Sequence, residues 1–341
     1  MKTLVTGATG FLGNHVARQL AQRGEGVRVL VRSSSDLRAL EGFATERFIG
    51  DLRDAASLDR ALADVNRVFH VAADYRLWAR DPREIYESNV TGTQNLLEAA
   101  RRAGVEKFVY TSTVATIAVP REGKLPDETT QSSLGEMIGH YKRSKYQAEQ
   151  LAMRAAEAGL PVVIVNPTTP VGPGDVKPTP TGKIIVDFLN GRMPGYVDTG
   201  LNFVPVEDCA RGHLLAAERG RVGERYILGG VNLSLKQMLD ILAAISGRSA
   251  PRWKLPHVLA YAVGYVDTAV ARMTGREPRI PLEGVRMARH KMFVDASKAG
   301  RELGFVPGPV EAALERAARW YEVNGYLAAR GAHSVARAHA A

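Results

Sequence analysis

The apolar positions in the first half of the chain alternate between two periods. Short, nearly continuous apolar runs at Thr3–Thr6, Val27–Val31, Arg47–Ile49, Arg67–Ala72, Lys107–Ser112 and Val162–Val165 predict strands buried on both faces. Between them Phe11–Arg23, Ala55–Ala63, Glu84–Ala103 and Tyr141–Ala158 predict helices, the first with Phe11, Leu12, Val16 and Leu20 at helical spacing. Strands that alternate with helices predict an α/β chain, a doubly wound parallel sheet covered on both faces.

The pattern changes after Asn166. Five prolines between Pro167 and Thr181 exclude a continued buried strand and mark the crossing into a second lobe. Phe203–Val206 and Arg225–Leu228 predict strands that return to the sheet, and the stretch from Leu233 to Tyr326 is mostly helical in pattern. The predicted organisation is a dinucleotide-binding domain over 1–166 with 203–230 returning to it. A smaller, mostly helical C-terminal substrate lobe spans 167–202 and 231–327, and 328–341 is expected to be a mobile tail.

Composition narrows the class. With 341 residues, 45% apolar and 24% charged, the chain is an ordinary globular one and not a disordered or collagen-like one. A single cysteine, Cys209, excludes an intrachain disulfide. The net charge of +9 is spread without a block of five basic residues, so no nucleic-acid partner is expected. The eight histidines form no metal-ligand spacing, so no metal is expected. No secretory leader or spanning stretch is expected, which points to the cytoplasm; the most apolar run, Val258–Val266, stops at Asp267. Pro256–Met273 leaves open either a helix packed on the core or an amphipathic surface toward the inner face of a membrane.

The first strand leads into Gly7-Ala8-Thr9-Gly10-Phe11-Leu12-Gly13 and then a helix, the context a dinucleotide loop requires. Gly7 permits the tight turn, Gly10 lets backbone approach a pyrophosphate, and Gly13 lets the helix pack closely. The helix N-terminus then presents free N–H groups to anionic oxygens. After the second strand stands Arg32-Ser33-Ser34-Ser35 where an acidic residue would hold an NAD ribose, which favours NADP over NAD; the other reading has Asp36 reaching back. Asp51 and Leu52 close the third strand, where the carboxylate can accept from an adenine amine. Ala72 and Ala73 close the fourth, where small side chains admit the nicotinamide ribose.

Tyr141 and Lys145 stand four residues apart and share a helix face. An ammonium near a phenol favours the phenolate, which can take a proton from a secondary alcohol; in reverse the phenol protonates the oxygen of a ketone. Ser112 and Thr113 run off the preceding strand, where doubly wound sheets bind ligands, and one hydroxyl can hold the substrate oxygen.

Together these residues resemble the extended short-chain dehydrogenase/reductase superfamily: TGATGFLG at 6–13, GDL at 50–52, HVAA at 70–73, NVTGTQNLLEAA at 89–100 and YKRSK at 141–145. The resemblance implies a Rossmann-type sheet. Longer stretches, among them HVAADYRLW at 70–78, MIGHYKRSK at 137–145 and GVRMARHKMF at 284–293, are similar to the hopanoid-associated sugar epimerases and dihydroflavonol 4-reductase-like proteins. By that resemblance Tyr141 is the general acid/base, Lys145 binds the nicotinamide ribose and lowers the tyrosine pKa, and Thr113, with Ser112 as the alternative, completes the set. Asn89 is implied as a cofactor-pocket asparagine, and Pro167 and Thr168 lie near the nicotinamide.

Two departures bear on substrate. Sugar-nucleotide members carry an Arg-Asp pair just before a Phe-Ile-His-Val strand, where the corresponding run here, Gly200-Leu201-Asn202-Phe203-Val204-Pro205-Val206, has no arginine, and an asparagine where this chain has Thr169. Three functions therefore stand: a hopanoid-associated sugar epimerase, an NADPH-dependent carbonyl reductase, and a non-catalytic dinucleotide sensor. The first two take a small-molecule substrate, and a homodimer is expected.

Overall fold

The computed structural model describes residues 1–117 and 123–328. Its strands are β1 (Lys2–Thr6), β2 (Gly26–Val31), β3 (Glu46–Ile49), β4 (Arg67–His70), β5 (Lys107–Thr111), β6 (Val162–Pro167), β7 (Thr169–Val171), β8 (Gly195–Tyr196), β9 (Gly200–Pro205), β10 (Arg225–Leu228), β11 (Val231–Ser234), β12 (Trp253–Lys254) and β13 (Lys291–Met292). The helices are α1 (Phe11–Gln22), α2 (Ala55–Ala61), α3 (Arg83–Tyr86), α4 (Gly92–Arg102), α5 (Gly139–Glu157), α6 (Pro180–Leu189), α7 (Val206–Arg219), α8 (Leu235–Ser246), α9 (His257–Thr274), α10 (Leu282–Met287), α11 (Ser297–Leu303) and α12 (Val310–Val323).

Seven strands form one parallel sheet in the order β10-β6-β5-β4-β1-β2-β3. The strand order reverses between β1 and β4, and that crevice is where such sheets bind ligands. One face is covered by α1 and α7, where Val16, Ala17, Leu20, Cys209 and Leu214 are buried on Val5, Val29 and Val163. The other is covered by α2, α4 and α5, through Leu58, Leu96, Ala100, Ala148 and Ala152. Each large aliphatic side chain so buried contributes about 1.5–3 kcal/mol.

The second lobe holds a sheet of its own. β9 pairs antiparallel with β11 and parallel with β7 and β13, and α6, α8 and α12 pack against it through Ile185, Phe188, Leu239, Leu242 and Leu314. Three expectations are corrected. The run at 203–206 does not return to the main sheet: residues through Pro205 belong to β9, while α7 and β10 rejoin the dinucleotide domain together with α11, expected in the second lobe, whose Ala299, Leu303 and the following Phe305 are buried in its core. The proline-rich crossing does contain strand, since β6 runs through Pro167 at its end and β7 pairs Pro170 with Val204 and Val171 with Pro205. Prolines are tolerated there because Pro167 is the last residue of β6 and Pro170 lies in β7, which pairs on one side only, with β9.

Glu84–Ala103 is not one helix. Glu87–Thr91 forms a π-turn between α3 and α4. Gly92 follows it, and a Cβ there would stand 2.8 Å from Leu52 Cβ. The helix can approach the third strand's end only with glycine at that place. Residues 329–341 of the expected tail lie outside the described residues.

Candidate active site

The turn after β1 requires glycine at two places. Gly7 has φ +75°, and a Cβ on it would lie 2.6 Å from the Ala72 nitrogen. A Cβ on Gly13 would lie 2.2 Å from the Gly7 carbonyl oxygen. Gly10 is the exposed N-cap residue of α1, which starts with no side-chain cap and no acid in its first turn. Its N–H groups and partial positive charge therefore face the β1–β4 crevice without a carboxylate of their own. Thr9, Phe11 and Leu12 are half-buried around it. Phe11 meets His15 edge-on at 5.8 Å, and His15 Nε2 lies 2.9 Å from the Pro173 carbonyl, which ties this helix to the crossing segment.

At the end of β2, Arg32 is exposed and makes no ion pair among the described residues. Its backbone nitrogen donates to Ser35 Oγ at 3.0 Å, which folds the serine run back on it. Asp36, the rival for an NAD ribose, is held by the Arg38 guanidinium through contacts of 2.5–3.0 Å. Asp51 is paired with Arg53 at 2.7 Å, chiefly by which its carboxyl is held below the usual range. An adenine amine would share that carboxylate with Arg53. Leu52 is held in place through its carbonyl, which accepts from Asn95 Nδ2 at 3.0 Å.

Tyr141, Lys145 and Thr113 come together at the C-terminal end of β5. Burial raises the Tyr141 pKa, and the Thr113 hydroxyl facing the phenol opposes that rise. Thr113 is fixed by its neighbours: its hydroxyl accepts from the Ala115 nitrogen at 3.2 Å, and its carbonyl accepts from Asn166 Nδ2 at 3.1 Å. Ser112 Oγ is buried and has no hydrogen-bond partner among the described residues. Lys145 is 2% exposed, and its Nζ donates to Tyr110 Oη at 3.0 Å and to the Thr111 carbonyl at 2.8 Å.

The expected direct pull of the Lys145 ammonium on Tyr141 is corrected here. The amine is turned onto Tyr110 and Thr111, and burial lowers its pKa to about 7. A buried phenol with a raised pKa is protonated at neutral pH. In this geometry Tyr141 is poised as an acid, the form that protonates a carbonyl oxygen.

Several residues around this set were not singled out by sequence reasoning. His70 bridges Thr6 Oγ1 at 2.8 Å and Thr93 Oγ1 at 3.0 Å, and burial lowers its pKa to about 3, so it is neutral. Glu149, one turn beyond Lys145, accepts from Asn166 Nδ2 at 2.7 Å, Thr116 Oγ1 at 3.0 Å and Arg225 at 3.3 Å. Lys142 is buried beside Met292, its Nζ 3.8 Å from the sulfur, and burial lowers its pKa to about 8. The i, i+4 spacing from Lys145 was the one local signal for Glu149. Asn89, in the π-turn, links the loop after β4 to α5: its Nδ2 donates to the Asp74 carbonyl at 2.8 Å and to Ser144 Oγ at 3.0 Å. Such turns recur at functional sites. Thr168, next to Pro167, donates through its hydroxyl to the Leu228 carbonyl at 3.3 Å.

The residues present fit a dinucleotide. A Cβ would fill the floor at Gly7 and Gly13, the α1 N-terminus is free of acids, and Ser112 offers an unused buried hydroxyl. Residues 3–229 match the model of the NAD dependent epimerase/dehydratase family. The chain belongs to that family. It is 46% identical over 327 residues to a putative dihydroflavonol 4-reductase of Synechocystis, covering 95% of each chain. It is 38% identical to sterol demethylase protein B of Methylococcus capsulatus, covering 96% of this chain and 100% of that one. Among solved structures, a nucleoside-diphosphate-sugar epimerase from Pseudomonas aeruginosa superposes with a TM-score of 0.79 at 30% identity, covering 96% of this chain and 99% of that one. The family member is thus an NAD(P)-dependent enzyme of the extended short-chain dehydrogenase/reductase superfamily, with a small-molecule substrate.

Proposed function

We propose that the protein is an NADP-dependent carbonyl reductase acting on a ketone of a largely apolar, lipid-like ring compound. The observation that carries this is the β9 strand. Where sugar-nucleotide enzymes resembling this chain carry an Arg-Asp pair, Leu201 and Asn202 stand, and Asn202 is 2% exposed and spent on Gly230 and Asn232 at 2.8 Å each. Neither Asn202 nor Thr169 supplies a cation for a diphosphate. The names of the two curated relatives, a reductase and a sterol protein, support the same class.

The bound nicotinamide supplies hydride. The chain's residues do the rest. Thr113 and Ser112 hold the carbonyl oxygen and Tyr141 gives it the proton. Lys145, turned from Tyr110, holds the ribose and restores the phenol's proton. Arg32 with the serines 33–35 takes the 2′-phosphate. Asn89 keeps the loop after β4 and the catalytic helix in register.

A second reading, the hopanoid-associated sugar epimerase, is favoured by the family model and the epimerase neighbour. The same Tyr141 and Lys145 would take hydride off a carbinol and return it to the other face. The protein would work in the cytoplasm as a homodimer, in contact with the inner face of the membrane. Turnover with NADPH and a polycyclic ketone, followed by nicotinamide absorbance, separates the two. Stoichiometric loss of the reduced-nicotinamide signal supports the reductase. An epimerised sugar alcohol formed from a sugar substrate with no net absorbance change, together with no NADPH loss on the ketone, supports the epimerase and refutes the reductase.

A further inference from the structure

Helix α9 is built inside out. Its buried residues, Gly264, Thr268 and Ala271, form a narrow stripe that rests on α10 and the segment before it. Gly264 lies against Val285, and Thr268 Oγ1 accepts from the Leu282 nitrogen at 3.0 Å. At 100° per residue the opposite face carries Val258, Leu259, Ala262, Val266, Val270 and Met273, with no polar side chain over four turns. These side chains are open to solvent: Val258 is 81% exposed, Val266 60% and Met273 87%. Trp253, just ahead of the helix, is 77% exposed. A surface helix of an ordinary globular domain shows the reverse arrangement, and an apolar patch of this extent marks an interaction site.

Charge is concentrated around the same helix. Between Arg248 and Lys291 the sequence holds nine lysines and arginines and three carboxylates, two thirds of the chain's net +9. Arg252, Arg272, Arg276 and Arg279 make no ion pair among the described residues. Arg279 lines a groove with Val263, Val266, Val270 and Ile280 and with Asp267, whose carboxylate is engaged by the Ile280 nitrogen at 2.7 Å. No helix among the described residues is long and apolar enough to cross a membrane.

We infer that the outer face of α9, with its arginine rim, docks the protein on an anionic lipid surface. This deepens the proposed membrane contact and does not depend on the hydride-transfer reading. An apolar face ringed by arginine and preceded by an exposed tryptophan matches the acyl–headgroup boundary, with the cations at the phosphates. A second copy of the chain would set like charges against each other, so charge complementarity favours lipid. Contact at α9 would let an apolar ligand pass from bilayer to substrate lobe.

The test is co-sedimentation of the full chain with phosphatidylcholine vesicles, with and without phosphatidylglycerol. Binding is expected with the anionic vesicles and should weaken as salt rises. The double substitution Val266→Glu with Val270→Glu should cut bound protein about tenfold or more. Both sites are exposed, so the variant should fold, which its circular dichroism and its urea-unfolding midpoint would show. Failure of wild-type protein to pellet with anionic vesicles overturns the proposal, as does pelleting that the double variant leaves unchanged. So does a wild-type dimer that the double variant splits while vesicle binding persists. Tyr141→Phe that still pellets but does not turn over keeps the two readings separate.

Discussion

The side-chain amide of Asn89 clasps the backbone of Asp74 at both ends. Its Oδ1 accepts from the Asp74 nitrogen at 2.7 Å and its Nδ2 donates to the Asp74 carbonyl at 2.8 Å. The same Nδ2 reaches Ser144 on α5, the helix that carries Tyr141 and Lys145. The loop after β4 and α5 are therefore set by one buried group, 2% exposed, that only the π-turn aims inward.

Replacing Asn89 with Leu keeps the volume and removes the clasp. It leaves the Asp74 nitrogen and carbonyl without their partner, at a cost of about 1–3 kcal/mol each, while Ser144 Oγ keeps its bond to the Tyr141 carbonyl at 2.8 Å. The variant should unfold at lower urea, and kcat should fall more than KM rises, because the helix carrying Tyr141 shifts. Asn89→Asp should restore the accepting half and part of kcat. Equal kcat in wild type and Asn89→Leu would show that the clasp does not position the helix.

Tyr141→Phe removes the acid and little else. Hydride transfer should slow by about 10²–10⁴-fold, the usual worth of a positioned proton donor. Cofactor affinity, read by fluorescence titration of NADPH, should stay within about twofold, since the glycine loop and Arg32 are untouched. Turnover at the wild-type rate would remove Tyr141 from the reaction.

What was legible in the sequence was what local spacing determines. The three glycines follow from steric need at Gly7 and Gly13, and Tyr141 and Lys145 share a helix face by period alone. The apolar runs of β1, β2, β5 and β6 had one fate, burial on both faces. What escaped depends on partners far along the chain. His70 is held by Thr6 and Thr93, and Glu149 by Asn166 and Arg225, contacts that no period encodes. Lys145 was expected against Tyr141, but Tyr110, on the neighbouring strand, takes its amine. β9 left the main sheet because its partner β11 lies beyond α7, a choice set by tertiary pairing.

Lys145 gives the pH dependence. Its pKa is lowered to about 7 from 10.5 by burial. Between those values the unfolded chain holds the proton and the folded chain does not, so this residue makes stability rise with pH across that window. Below about 7 the cost of burying the ammonium is complete; above 10.5 it is gone. Lys145→Met carries none of that cost, so its stability advantage over wild type should be largest below pH 7, on the order of 5 kcal/mol, and should shrink as pH rises. Urea unfolding of both proteins across that range measures it. A gap that does not change with pH would show that the lysine does not titrate in the folded state.

The proposed choice of NADP over NAD rests on Arg32. The guanidinium is exposed and makes no ion pair among the described residues, Ser35 folds back on its backbone, and Asp36, the rival for a ribose hydroxyl, is taken by Arg38. Arg32→Asp reverses the charge where the 2′-phosphate would sit. NADPH should then bind at least about tenfold more weakly, one lost charge-assisted contact plus repulsion, while NADH binds as well or better. The Arg38→Ala variant frees Asp36 and should raise NADH affinity without lowering that for NADPH as far. Titration of both dinucleotides against the three proteins checks this. An unchanged NADPH-to-NADH ratio in Arg32→Asp would place the phosphate elsewhere.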